Sequence, residues 1–184
     1  MDANSSSKPG HLPRLGEAAY RGRAIVHWTL TVRDRATGWL TPTFTERFRW
    51  LLLHGCARHA VSCPIHCLMP DHIHLLIHGW SREGDQRRFI RFVRQHSGHL
   101  LAESRHRWQP QAYDHVLRPE ESDRFAYERL VHYIAENPVR AGLVKKADEW
   151  PHTGTVIPGY PEPSLWQPDF WTRYWRLRKS RVGL

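Results

Sequence analysis

Two apolar runs of strand length, residues 61–69 and 72–78, are separated only by Pro70-Asp71. A Pro-Asp pair is a tight-turn signal, so the two runs are expected to pair as a β-hairpin. Residues 24–32 are rich in β-branched and aromatic side chains and predict a further strand. Between them, Thr43-Phe44-Thr45-Glu46 offers a cap and an acidic first turn. Phe44, Phe48, Leu51, Leu52 and Cys56 follow at helical spacing, which predicts a helix over 44–60. A basic helix is expected over 85–106, then a loop holding Pro110 and Pro119, then a helix over 122–137 capped by Ser122. Residues 112–118 are the candidate for a fourth strand. This order points to an α+β fold with an antiparallel sheet, and a ferredoxin-like sandwich is its simplest form.

The chain has 184 residues, enough for one domain with its own core. Three parts are expected: a flexible basic arm over 1–22, the domain proper over 23–155, and a basic aromatic tail over 156–184. The formal net charge is +9 and the isoelectric point is near 10.0. A domain this basic suits a polyanion, because each phosphate it neutralises releases condensed counterions. The sequence contains no apolar stretch near membrane-spanning length and no basic-then-apolar leader, so a soluble, cytoplasmic protein without membrane contact is expected. Cys56, Cys63 and Cys67 are too few, and odd in number, for a disulfide framework.

Three groups of residues carry chemistry. In a strand over 72–78, His72, His74, Leu76 and His78 share one face, while Ile73, Leu75 and Ile77 share the other and should pack on helices. Imidazoles two residues apart on a strand can converge on one metal ion; they can equally be polar residues on a solvated face. Tyr133 and Asn137 are four apart and neighbours on one helix face, opposite Leu130, Val131 and Ile134. Alone, Tyr133 reads as a packing residue and Asn137, before Pro138, as a helix end. Arg87, Arg91 and Arg94 fall on one side of the basic helix. Trp171, Arg173, Tyr174, Trp175 and Arg176 crowd the tail. Cations interleaved with flat rings suit single-stranded nucleic acid, and they also occur on solvated helix faces.

Met69-Pro70-Asp71-His72-Ile73-His74-Leu75-Leu76-Ile77, followed by His132-Tyr133-Ile134 and Asn137-Pro138-Val139-Arg140-Ala141-Gly142-Leu143-Val144, resembles the REP-associated tyrosine transposases. These belong to the single-tyrosine HUH transposases of bacteria. The resemblance runs over about residues 22–155 and includes Trp108-Gln109, Tyr113-Asp114-His115 and Trp150-Pro151. It implies a bacterial, nucleoid-associated enzyme that cuts and rejoins single-stranded or hairpin DNA. The intermediate it implies is a 5′-phosphotyrosine at Tyr133. His72, His74 and Asn137 would hold Mg²⁺ or Mn²⁺, and no small-molecule cofactor is implied. Hairpin binding falls to Arg87, Arg91, Arg94 and the termini, with Arg173 and Arg176 in the tail. A monomer is expected, although insertion-sequence relatives exchange tyrosine helices in dimers.

Three rival readings stand beside this one. Cys63, His66, Cys67, His72 and His74 are all candidate zinc ligands, although strand alternation puts His66 and Cys67 on opposite faces. A domesticated hairpin-binding module with little cleavage would keep the same motifs. RNA in place of DNA leaves no simple mark in the sequence.

Overall fold

The computed structural model describes residues 14–121, 123–160 and 163–182. Among the described residues five strands and five α-helices follow one another: β1 (Ile25–Thr31), α1 (Pro42–Arg58), β2 (Val61–Leu68), β3 (His72–Gly79), α2 (Gln86–Glu103), β4 (Tyr113–Val116), α3 (Arg124–Ala135), α4 (Asn137–Arg140), β5 (Thr153–Val156) and α5 (Phe170–Val182). The sheet order is β4-β1-β3-β2-β5, and every pairing is antiparallel. The first four strands with α1 and α2 make the ferredoxin-like sandwich. β5 extends it beyond β2.

Strand alternation divides the interior in two. On one side Val26, Trp28 and Leu30 of β1 and Ile73, Leu75 and Ile77 of β3 pack against Phe44, Phe48 and Leu52 of α1 and Phe89, Ile90 and Val93 of α2. On the other side Ile25, Ile65, Cys67 and Leu76 pack against Tyr127, Val131 and Ile134 of α3 and Phe170 and Tyr174 of α5. Gln86 stitches the start of α2 to the sheet. Its amide nitrogen donates to the carbonyls of Ala24 (2.7 Å) and Ile77 (3.0 Å), and its oxygen accepts from Trp28 Nε1 (3.3 Å).

Several expected boundaries move. Thr41, not Thr43, caps α1 by accepting from the Phe44 amide, because Pro42 takes the first helical position. Asp123 caps α3 through the amides of Phe125 and Ala126; Ser122, the expected cap, lies outside the described residues. The candidate fourth strand forms as β4, paired to β1.

The expected terminal segments are more integrated than the division at 22 and 156 implied. Residues 1–13 of the arm lie outside the described residues. The rest of the arm packs. Tyr20 is fully buried and donates to Asp114 at 2.5 Å, while Arg14 pairs with the same carboxylate at 2.9 Å. At the other end, Val156 and Ile157 are buried and α5 lies over the sheet. Polar atoms fasten α5. Tyr174 Oη stands 2.7 Å from His78 Nδ1 and 2.6 Å from Tyr127 Oη, and Trp175 Nε1 donates to Glu128 at 2.7 Å.

Burial also holds histidines neutral. It pushes His66 down to about 3, with Arg49 adding to the effect. It pushes His78 down to about 3, with Arg178 and Arg23 adding. The His66 ring fits because residue 154 is glycine: a Cβ there would stand 2.8 Å from Cε1.

These shifts fix a pH dependence. The unfolded chain takes up protons on these histidines below about 6.5 and the folded chain does not. The stability they contribute is therefore complete above about 6.5 and falls as pH drops towards about 3. Each histidine should cost about 1.4 kcal/mol per pH unit within that window. Urea midpoints measured between pH 7.5 and 5.5 should fall steeply. His78→Gln should make that slope shallower by one histidine's share.

Candidate nuclease site

The sheet face opposite α1 and α2 carries the histidines. Cα pairing puts Tyr113, Thr29, His74, Cys67 and Thr153 in one row across β4, β1, β3, β2 and β5. His27 and His115 pair in the next row, between β1 and β4. His72, beside Thr31, completes the face towards the β2–β3 turn.

His72 and His74 converge as the strand alternation predicts. Their Nε2 atoms are 3.0 Å apart and the rings meet edge to face, with centroids 4.7 Å apart. The outer nitrogens are held as well. His72 Nδ1 lies 2.6 Å from Asp71 Oδ1, and the other Asp71 oxygen accepts from Arg35 at 2.7 Å. His74 Nδ1 lies 3.0 Å from His27 Nε2 and 3.4 Å from Thr29 Oγ1. When each Nδ1–H donates outward, each Nε2 keeps a lone pair, and the two lone pairs face each other. A cation between them relieves that repulsion, as does the His74 tautomer that carries its proton on Nε2 and takes a hydrogen bond at Nδ1 from His27 or Thr29.

An added proton on His74 or His27 is disfavoured. Burial lowers His74 to about 3, with the charges of His27, His72 and Arg140 adding to it. Burial lowers His27 to about 4, with His115 adding. Burial raises Asp71, but the hydrogen bonds from His72 and Arg35 outweigh it and leave the carboxyl below its ordinary range. The donor set fits a divalent ion. At metal–nitrogen distances of about 2.1 Å, two ligands at a right angle stand about 3.0 Å apart. Carboxylate and imidazole partners behind the ligands set the tautomer and the ring orientation.

Tyr133 stands 57% exposed on α3, whose Tyr127, Val131 and Ile134 are packed on the histidine side of the sheet. Asn137 begins α4. Its Nδ2 donates to the carbonyls of Ile134 (3.0 Å) and Tyr133 (3.4 Å), and its Oδ1 accepts from Arg140 Nη2 at 2.9 Å. The amide thus serves the junction of α3 and α4 and is not hydrogen-bonded to the histidine pair. Arg140 also donates to the Tyr133 carbonyl at 2.8 Å, and its guanidinium carbon lies 4.0 Å from the Tyr133 ring centroid.

The five-ligand zinc grouping is not assembled. Among the described residues no group of three or more His, Cys, Asp or Glu side chains could hold a metal. Cys63 belongs to the core under α1, and burial raises its thiol well above the ordinary value. Cys67 belongs to the opposite core, and burial raises its thiol to about 11.

This chain and its fold have counterparts among known proteins. No family model matches the chain. A protein of Haemophilus influenzae named as a REP-associated tyrosine transposase is 27% identical over 164 residues, which cover 79% of this chain and 89% of the relative. The solved structure of a REP-associated tyrosine transposase bound to a REP hairpin matches with a TM-score of 0.64 at 22% identity, over 78% of this chain and 81% of that one. The chain is similar in sequence to a protein named as a REP-associated tyrosine transposase and in fold to a solved one.

The arginines lie elsewhere than the histidines. Arg87, Arg91 and Arg94 do share one side of α2. With Arg14 and Trp108 they line a cavity of about 400 Å³. That cavity is on the α2 side of the sheet, away from His72 and His74. Arg94 is committed structurally, donating to the carbonyls of Gln109 (2.5 Å) and Pro110 (2.9 Å). On α5 both Arg173 and Arg176 are exposed, and Arg173 is paired with Asp169 at 2.6 Å. Among the described residues no helix is long and apolar enough to cross a membrane.

The residues that motif spacing passed over are His27, Thr29, Asp71, Arg35 and Arg140. The expected consequence for the arginine face is a clean split. Arg94→Ala should cost about 1–3 kcal/mol in urea unfolding, because it orphans two carbonyls. Arg91→Ala, on exposed surface, should stay within about 0.5 kcal/mol.

Proposed function

We propose that the chain is a metal-dependent single-tyrosine nuclease and transposase that cuts and rejoins single-stranded or hairpin DNA. The observation that carries this reading is the convergence of His72 and His74, 3.0 Å apart at Nε2, on the face that also supports the helix of an exposed Tyr133. The hairpin-bound structure of a fold relative supports hairpin DNA as the ligand class.

The chemistry follows from the residue types. Tyr133 Oη attacks the phosphorus, the bond to the 3′ oxygen breaks, and that oxygen leaves as a hydroxyl after taking up a proton. The 5′ phosphate remains on the phenol oxygen. One phosphodiester replaces another, so the reverse step rejoins DNA without ATP. Mg²⁺ or Mn²⁺ held by His72, His74 and Asn137 would supply charge that polarises the non-bridging oxygens. Asp71 and His27 orient the two imidazoles. The half-buried Arg87 and the exposed Arg91, Arg173 and Arg176 supply phosphate contacts away from the reacting atoms.

Denaturing gels with labelled hairpin oligonucleotides test this. The parent should form a covalent adduct with Mg²⁺ or Mn²⁺, and Tyr133→Phe and His72→Ala should form none. Tight hairpin binding by the parent without any adduct would leave only a binding module. Asp71→Asn should weaken Mn²⁺ binding about 10–100-fold by calorimetry, with the fold intact.

The packing also supports action in cis. α3 is buried against its own sheet through Tyr127, Val131 and Ile134, with α5 over it. A mixture of His72→Ala and Tyr133→Phe proteins should therefore stay inactive, and light scattering should give a monomer. Restored adduct formation in the mixture would mean that tyrosine helices exchange between subunits.

A further inference from the structure

The Arg140 guanidinium lies over the ring of the expected nucleophile, and the reaction outlined above leaves it without a task. It sits seven residues after Tyr133, two helical turns on. The path stays helical through Glu136 (φ −80°, ψ −3°), with Pro138 near the start of α4. The Arg140 side chain is exposed, as a substrate-binding group must be. Its two protein hydrogen bonds, to Tyr133 O and Asn137 Oδ1, both use Nη2. A guanidinium has five N–H donors in a planar fork. Among the described residues no further hydrogen bond engages Nη1 or Nε.

We propose that Arg140 binds the scissile phosphate: the contacts to Tyr133 and Asn137 are its substrate-free position, and an incoming phosphodiester draws the guanidinium onto a non-bridging oxygen. The exchange is favourable in kind, since a neutral amide acceptor is replaced by an anionic one that the fork can grip with two N–H groups. In its present place the guanidinium lies over the phenol ring, 4.0 Å from its centroid. Movement onto the phosphate would also release Asn137 Oδ1, the donor atom of that amide. The inference rests on Tyr133 being the nucleophile.

The test compares two forms of a hairpin oligonucleotide that the parent protein cuts. One has an ordinary scissile phosphodiester, the other a neutral methylphosphonate at that position. On the ordinary substrate, Arg140→Ala should slow single-turnover adduct formation about 10²-fold, the scale for loss of one donor to a developing charge. Arg140→Lys should be intermediate, since it keeps the charge without the fork. On the neutral substrate the gap between parent and Arg140→Ala should shrink to within about tenfold, because there is no anion left to bind. Binding gives an independent readout. In a Tyr133→Phe background, which keeps the ring and cannot react, the protein should prefer the charged linkage, and adding Arg140→Ala should abolish the preference.

An Arg140→Ala protein equally defective on both substrates would assign the residue to structure only and overturn the proposal. So would a fully active Arg140→Ala protein. A parent that forms no adduct at all would instead overturn the nuclease reading on which the proposal rests.

Discussion

Period-two alternation in β3 is the constraint on which the structure turns. Ile73, Leu75 and Ile77 enter the core beneath α1 and α2, and this alone forces His72 and His74 onto the other face. A slip of one residue would bury the imidazoles and expose the isoleucines, so the hydrophobic term locks the register. The same lock sets the neighbours. Pairing Thr29 with His74 and His27 with Leu76 brings the His27 ring to His74 Nδ1. The arrangement of the polar site is thus a by-product of burying the apolar one.

The opposite face obeys a second constraint. Ile25, Ile65 and Leu76 are covered there, while His72, near the β2–β3 turn, is only half-buried. α3 and α5 cover the end of the sheet around His78 and leave the end around His72. The buried contacts among His78, Tyr174 and Tyr127 tie both helices to the strand that carries the histidines. An unsatisfied polar group there would cost about 1–3 kcal/mol, so the two helices are held in one place rather than merely collected on a greasy surface. Tyr133 inherits its position from that anchoring.

The hairpin, β1, α1, α2 and α3 are legible in the sequence because each repeats its apolar residues at the period of its own geometry. The convergence of His72 with His74 follows from the same rule. β5 is not legible. Thr153-Gly154-Thr155-Val156 is a short edge strand, and its glycine is explained only by the His66 ring opposite. α5 is masked by its arginines, although Phe170, Trp171, Tyr174 and Trp175 recur at helical spacing. His27 lies on the predicted first strand, yet its contact with His74 spans 47 residues and depends on a register that composition does not state. Asp71 reads as a turn residue and proves to orient His72 as well. Arg140 lies inside a recognisable motif. Pro138 reads as a stop, however, whereas the helical path continues and carries the guanidinium back over Tyr133.

The most direct test of the account is to find where the DNA is attached. The parent protein would be trapped on a hairpin oligonucleotide, digested with nuclease and protease, and its peptides sequenced by mass spectrometry. The account predicts a nucleotide remnant joined through its 5′ phosphate to Tyr133. A remnant on Tyr113, the other exposed tyrosine of the histidine face, or on any residue but Tyr133, would contradict it.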